Sequence, residues 1–115
     1  MLGRWRRAAP IAPAILMLWG AGAIPGRKDI RPRRHVVEIQ GMAFHPATLE
    51  VARGDTVVWV NRDLVPHTAT GSAKPAWSTG TLAQGQSGQF VPRPDGTIPY
   101  FCELHPLMEG KLIIR

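Results

Sequence analysis

The feature that most limits the fold of this chain is the alternation of apolar and polar residues in short stretches after residue 34. The clearest stretch is TVVWVN at residues 56–61, where Val57, Trp59 and Asn61 share one face. Similar stretches occur at residues 35–40, 47–52, 88–91, 100–102 and 111–115, with turn residues between them. Residues 35–115 show no helical period of useful length. The pattern predicts an all-β fold, a Greek-key β-sandwich of about seven short strands.

The first 34 residues differ from the rest and predict a separate segment. Arg4, Arg6 and Arg7 precede an uncharged apolar run, AAPIAPAILMLWGAGAI, which ends in small residues. This is the pattern of an export signal, which we expect over residues 1–23, with an uncleaved membrane anchor as the alternative. Residues 24–34 then predict a basic linker, and residues 35–115 a domain located in the periplasm.

The net charge of +6 does not predict nucleic-acid binding, because the excess of positive charge comes from residues 1–34. Residues 1–34 carry eight Lys and Arg residues and one acid, whereas residues 35–115 carry six bases and seven acids. The domain itself is therefore expected to be close to neutral.

The only cysteine lies in CELHPLM, where Cys102, His105 and Met108 are spaced three residues apart. Exported proteins usually pair their cysteines, so a single thiol there needs burial or a ligand role. Two imidazoles, a thiolate and a weak axial thioether form the ligand set of electron-transfer copper sites. The second imidazole must come from elsewhere in the chain, and His67, just past the 56–61 stretch, is the best candidate. The residues favour one copper ion at this site.

Other chemistries leave part of this set unexplained. A nucleophile pair of Cys102 and His105 gives no role to Met108 or His67. Structural zinc prefers more thiolates, a binuclear copper site needs a second cysteine, and a multicopper oxidase needs His-x-His pairs. We interpret His45 as a surface turn residue and His35 as a solvated residue beside the linker. Residues 61 and 63 are interpreted as closing a strand and a turn, without a catalytic role.

The segments GDTVVWVNRDLVPHT and GTIPYFCELHPLMEGKLII strongly resemble the small blue copper proteins, the cupredoxins. The resemblance covers about residues 36–115, with both motifs in the expected order. The short gaps in the cysteine motif are most similar to those of the amicyanins, with plastocyanins and pseudoazurins more distant. The resemblance implies a cupredoxin-like domain in which His67, Cys102 and His105 are the strong copper ligands and Met108 is the axial ligand.

Two positions depart from the family pattern. Thr68 stands where amicyanins and plastocyanins usually have an asparagine that braces the ligand loop. Its hydroxyl can act as such a brace, and its backbone N–H can reach the Cys102 sulfur. Pro99 interrupts the strand before Tyr100, so we expect it where the missing N–H leaves no ladder bond unmade.

The expected function is one-electron transfer between redox proteins, not an enzymatic reaction. Such partners include a dehydrogenase, a cytochrome or a reductase, and the resemblance implies that His105 is the electron port. Apolar residues flank both histidines, which predicts brief docking of a monomer through an apolar surface around His105. The alternative is a periplasmic copper-binding protein for buffering or delivery. A copper enzyme ranks third, because all four coordination positions are expected to be filled.

Overall fold

The computed structural model describes residues 29–115, together with seven earlier positions (3, 10, 11, 13, 22, 25 and 26). Most of the predicted export signal, residues 1–23, and part of the predicted linker therefore lie outside the described residues. Within the part of the chain that is described, there is no helix of the length and apolarity needed to cross a membrane.

Residues 29–115 form a two-layered β-sandwich. Its eight strands are β1 (Arg34–Ile39), β2 (Phe44–His45), β3 (Thr48–Val51), β4 (Thr56–Asn61), β5 (Thr70–Gly71), β6 (Ser87–Phe90), β7 (Gly96–Phe101) and β8 (Glu109–Ile114). One sheet has the order β2-β1-β4-β6 and the other the order β3-β8-β7-β5. The pairs β1–β4 and β3–β8 are parallel, and the remaining pairs are antiparallel. The predicted all-β sandwich is confirmed.

The strand predictions hold for the long strands and fail for the shortest. Strand β4 coincides with the predicted stretch at residues 56–61, because its alternation is the clearest in the chain. Strand β7 begins four residues earlier than predicted, at Gly96. Strands β2 and β5 have two residues each, too few to show a period, and the sequence did not predict them.

The core lies between the two sheets and is rich in aromatic side chains. Trp59 is fully buried, and its ring centroid lies 5.3 Å from that of Tyr100. The Phe44 ring contacts Tyr100 edge-on, at 4.8 Å. Trp77 stacks on Phe90 with the rings 4.1 Å apart and covers the side of this cluster. Edge contacts of this kind add to the burial of apolar area and fix the orientation of the rings.

Pro99 lies within β7, opposite Lys111 of β8. Its carbonyl accepts the Ser72 N–H at 3.0 Å, so its backbone polar groups face the side of β5, just past the last β5 residue, Gly71. The Lys111 N–H points away from Pro99 and donates to Ala47 O. Pro99 therefore lies past the paired residues of β5, where the N–H that it lacks belongs to no residue pair of the ladder between β5 and β7.

The strand directions give the sandwich two distinct ends. Strands β4 and β7 end, and β8 begins, at one end, which we call the motif end because it carries Cys102. At the opposite end, Asp55 precedes β4 and accepts N–H groups of Arg33 and Ala52 at 2.9 and 3.0 Å. Asp55 also contacts Nε2 of His35 at 2.8 Å. His35 was expected to be solvated; it is instead partly buried, with its ring bound to this carboxylate.

Candidate metal centre

His67 is positioned by the turn that follows β4. The Asn61 side-chain amide donates to the carbonyls of Val65 and Leu82, at 2.9 and 2.8 Å, and its oxygen accepts the Asp63 N–H at 2.9 Å. These bonds fold residues 62–66 into a compact turn. The backbone of His67 then pairs with Leu82 through two hydrogen bonds of 3.1 and 2.7 Å. The imidazole is consequently fully buried at the motif end.

Cys102, His105 and Met108 lie on the loop that joins β7 to β8. The loop closes on itself, because the Cys102 N–H donates to Met108 O at 3.0 Å and the Met108 N–H donates to His105 O at 2.9 Å. A longer bond of 3.3 Å runs from the His105 N–H to Cys102 O. The two strands flanking the loop pair at Phe101 and Glu109. The three-residue spacing of Cys102, His105 and Met108 thus matches a tight hairpin loop whose two ends are fixed by strand pairing.

The structure brings His67, Cys102 and His105 together. Their candidate ligand atoms all lie within 4.8 Å of one another. The Cys102 Sγ is 3.8 Å from Nδ1 of His67 and 3.9 Å from Nδ1 of His105. Bonds of the usual metal–sulfur and metal–nitrogen lengths, set at trigonal angles, place sulfur and nitrogen about 3.7 Å apart. The spacing of these three side chains therefore fits a site in which His67, Cys102 and His105 would hold one metal ion.

Met108 is the fourth predicted ligand. Its side chain is 6% exposed and belongs to the same buried cluster as Cys102. Its backbone groups close the loop on both sides, toward Cys102 and His105. Its role as an axial thioether ligand stays a prediction.

Thr68 braces the ligand loop, as its sequence position suggested. Its backbone N–H donates to the Cys102 sulfur at 3.3 Å, and its hydroxyl accepts the Glu103 N–H at 2.9 Å. The Thr68 hydroxyl continues into a chain of hydroxyl groups through Thr70, at 3.0 Å, and Ser78, at 2.9 Å. Thr68 and Thr70 are both buried. The brace thus connects the cysteine side of the loop to the segment that precedes β6.

Replacing Thr68 with valine should destabilise the apo-protein by about 1–3 kcal/mol, because the Glu103 N–H loses its acceptor while the shape of the side chain is kept. The backbone bond to the Cys102 sulfur survives. Denaturant unfolding measures the loss. Thr70→Val is the matched control: it interrupts the hydroxyl chain but leaves the Glu103 N–H paired, so its loss should be smaller. Equal losses in the two variants would contradict the bracing role.

Asp63 is the residue at this site whose role sequence reasoning missed. One carboxylate oxygen accepts the Gly41 N–H at 2.7 Å, and the other accepts the Met42 N–H at 3.0 Å and contacts Nε2 of His67 at 2.8 Å. The Met42 N–H, with those of Gly41 and the His67 ring, lowers the pKa of Asp63 below its usual range against the opposing effect of burial. A separation of four residues signals contact on a helix. In a turn, a separation of four residues does not predict that two side chains are in contact.

The remaining histidines lie away from this cluster. His45 is exposed in β2, with Nε2 3.0 Å from Gln40 O, so its interpretation as a surface residue is confirmed, although it lies in a strand. His35 is bound to Asp55 at the opposite end.

The two segments that carry the clustered histidines also carry exposed apolar side chains. His105 is partly buried, in contrast to the fully buried His67 and Cys102. On the two segments that carry the histidines, Leu107 is 99% exposed and Leu64 is 85% exposed. Four leucine and valine residues form what we call the apolar rim: Leu64, Val65, Leu104 and Leu107. Exposed apolar groups gathered at one site mark an interaction surface more often than scattered ones do.

The fold and the site place this chain in a defined family. It belongs to the cupredoxin-like proteins, and the model of the cupredoxin-like domain matches residues 11–114. Among individual proteins it is similar to amicyanin from Paracoccus denitrificans, with 32% identity over 84 residues, which cover 70% of this chain and 64% of the relative. It is also similar to plastocyanin from Synechococcus sp., with 28% identity over 88 residues, 64% of this chain and 65% of the relative. The chain thus spans just under two thirds of the length of each.

A solved structure shows the same relationship. The Cu(I) form of an amicyanin variant is 31% identical and superposes with a TM-score of 0.68, covering 71% of this chain and 82% of that one. The resemblance to the cupredoxins, and to amicyanin among them, is confirmed.

Proposed function

We propose that this protein is a one-electron carrier that binds a single copper ion through His67, Cys102 and His105, with Met108 as the axial ligand. The observation that carries the proposal is the convergence of the buried Cys102 sulfur with two imidazole Nδ1 atoms, at 3.8 and 3.9 Å. Copper alternating between Cu(I) and Cu(II) would supply the redox chemistry. The similarity to amicyanin, solved in a Cu(I) form, supports the same choice of metal.

The protein's own residues would keep the ligand geometry nearly constant between the two oxidation states. His67 is held by backbone pairing to Leu82 and by Asp63, and the Cys102 sulfur accepts the Thr68 N–H. A mixed set of soft and borderline ligands, fixed in one arrangement, suits both states of copper. Fixed ligands also mean that little has to move when the electron arrives or leaves.

His105 is proposed as the point where electrons enter and leave. Among the three clustered residues it is the one that is partly exposed, and the apolar rim adjoins it in the sequence. A partner with an apolar patch around its own redox centre could dock there with little loss of hydration, and separate quickly. The proposed partners are a dehydrogenase, a cytochrome or a reductase, which the monomer meets in the periplasm after export. An uncleaved N-terminal segment that tethers the protein to the membrane is the alternative to its release.

The test is the visible absorption and electron paramagnetic resonance spectrum of the full chain loaded with Cu(II). An intense thiolate-to-copper band with narrow copper hyperfine splitting is expected, because a short Cu(II)–thiolate bond delocalises the unpaired electron onto sulfur. A pale protein with an ordinary tetragonal copper signal would overturn the electron-carrier proposal. Copper buffering or delivery would then be the better account of the same cluster.

The apolar rim gives a second prediction. Leu107→Glu should slow electron self-exchange between the oxidised and reduced protein by about tenfold or more, because each encounter then brings two carboxylates together. The reduction potential should change little. Val36→Glu is the matched control, since Val36 is 50% exposed on β1 and lies outside the rim. If both variants slow exchange equally, as measured by NMR line broadening, docking does not use the rim.

A further inference from the structure

Two aspartates make the same set of contacts at opposite ends of the sandwich. Asp63, after β4, contacts the N–H groups of Gly41 and Met42 and Nε2 of His67. Asp55, before β4, contacts two backbone N–H groups and Nε2 of His35, also at 2.8 Å. Only the histidine bound to Asp63 points its other nitrogen at Cys102, at 3.8 Å. Asp63 is therefore a candidate for positioning His67, and Asp55 is a control within the same chain, since it makes like contacts away from the cluster.

The contact with Asp63 determines which nitrogen of His67 carries the proton. A carboxylate accepts hydrogen bonds, so Nε2 is the protonated nitrogen of the neutral ring and Nδ1 carries the lone pair. That lone pair faces the Cys102 sulfur, where a metal ion would bind. Since the ring is fully buried, water cannot replace the carboxylate as its partner.

The other contacts of Asp63 hold the carboxylate in place. Met42 has a φ of 60°, a left-handed conformation that is uncommon for a residue with a side chain. The Asp63 carboxylate accepts its N–H and that of Gly41, so it fixes the turn between β1 and β2 in this conformation. All the groups bound to Asp63 are donors, and the carboxylate is itself 15% exposed. An amide at this position has only one acceptor oxygen and cannot serve all of them.

We propose that Asp63 is a positioning residue, which fixes His67 in the Nε2–H tautomer and favours Cu(II) over Cu(I) at the site. The reason is electrostatic as well as geometric: a carboxylate behind an imidazole ligand makes it a better donor, and its negative charge stabilises the more highly charged ion. Asp63 also connects the β1–β2 turn to the metal ligand, so this turn supports the site. The copper part of the inference rests on the proposed function, whereas the tautomer does not.

The experiment compares Asp63→Asn, Asp63→Glu and Asp55→Asn with the unaltered full chain. In the apo-protein at about pH 8, ring ¹⁵N chemical shifts report the tautomer of His67. The unaltered chain, Asp63→Glu and Asp55→Asn should show Nε2–H, because each keeps a carboxylate behind His67. Asp63→Asn should populate Nδ1–H. Its Cu(II) affinity should fall by about 10–100-fold. The fall for Cu(I) should be smaller, so its reduction potential should rise.

The outcomes separate the two claims. An Nδ1–H tautomer in the unaltered apo-protein would overturn the inference, as would an Asp63→Asn variant that matches Asp55→Asn in tautomer and in Cu(II) affinity. If Asp63→Asn and Asp55→Asn both lose only folding stability and His67 keeps the Nε2–H tautomer in both, the inference about Asp63 is also overturned. If the unaltered chain lacks the thiolate-to-copper band, the proposed function fails, and the tautomer of the apo-protein still decides the role of Asp63.

Discussion

Replacing Cys102 with serine abolishes the intense visible absorption of the copper-loaded protein, if the proposed site is correct. The band requires a thiolate bonded to Cu(II), and this chain has a single cysteine. Serine has nearly the same shape, and the loop bonds at residue 102 are made by its backbone. The apo-protein should therefore still fold, so the loss of colour reports the missing sulfur and not an unfolded chain.

Met108→Leu is the matched comparison for this variant. It removes the thioether but keeps the thiolate, so the intense band should remain while its position and the reduction potential change. Exchanging one buried apolar side chain for another of similar volume usually costs less than about 1.5 kcal/mol. Visible absorption after addition of one equivalent of Cu(II) measures both variants. A band of unaltered intensity in Cys102→Ser would sink the assignment of Cys102.

The second large effect concerns the fold. Trp59→Ala should lower the free energy of unfolding by about 3–5 kcal/mol, the usual cost of removing a large buried aromatic ring. Trp59 is fully buried, and its ring contacts those of Trp77 and Tyr100 at 5.4 and 5.3 Å. Because domains of this kind are stable by about 5–15 kcal/mol, much of the stability should be lost.

Trp77→Ala is the control for this variant. Trp77 is partly exposed and packs against the edge of the same cluster, so water can fill part of the space that its ring leaves. The destabilisation should be clearly smaller than that of Trp59→Ala in urea unfolding of the apo-proteins. Equal losses would show that the two rings contribute as one unit, contrary to their different burial.

The long strands could be predicted because period-two alternation over six residues leaves few alternatives. Strand β4 is the best case, with Val57 and Trp59 buried on its inner face. The two-residue strands β2 and β5 could not be predicted, since pairing with a neighbouring strand, not local pattern, defines them. Likewise, the pairing of β1 with β4 in parallel depends on contacts distant in sequence.

The cluster of His67, Cys102 and His105 was predictable because Cys102 and His105 occur with Met108 in one short motif and His67 follows a strong strand. Asp63 was not, because its role arises from the path of the turn after β4. The same holds for His35: nothing in the sequence links it to Asp55, and parallel pairing of β1 with β4 brings them together. Side-chain contacts created by strand pairing are visible only once the topology is known.

The origin of the three clustered residues has a mechanical consequence. His67 is held by the turn that follows β4 in one sheet, whereas Cys102 and His105 come from the hairpin of β7 and β8 in the other. A metal ion bound to all three would link the two layers at one end, and it would add no such link at the end containing Asp55. Metal loading should thus stiffen the sandwich against sliding of one layer over the other, and should do so unevenly along its length.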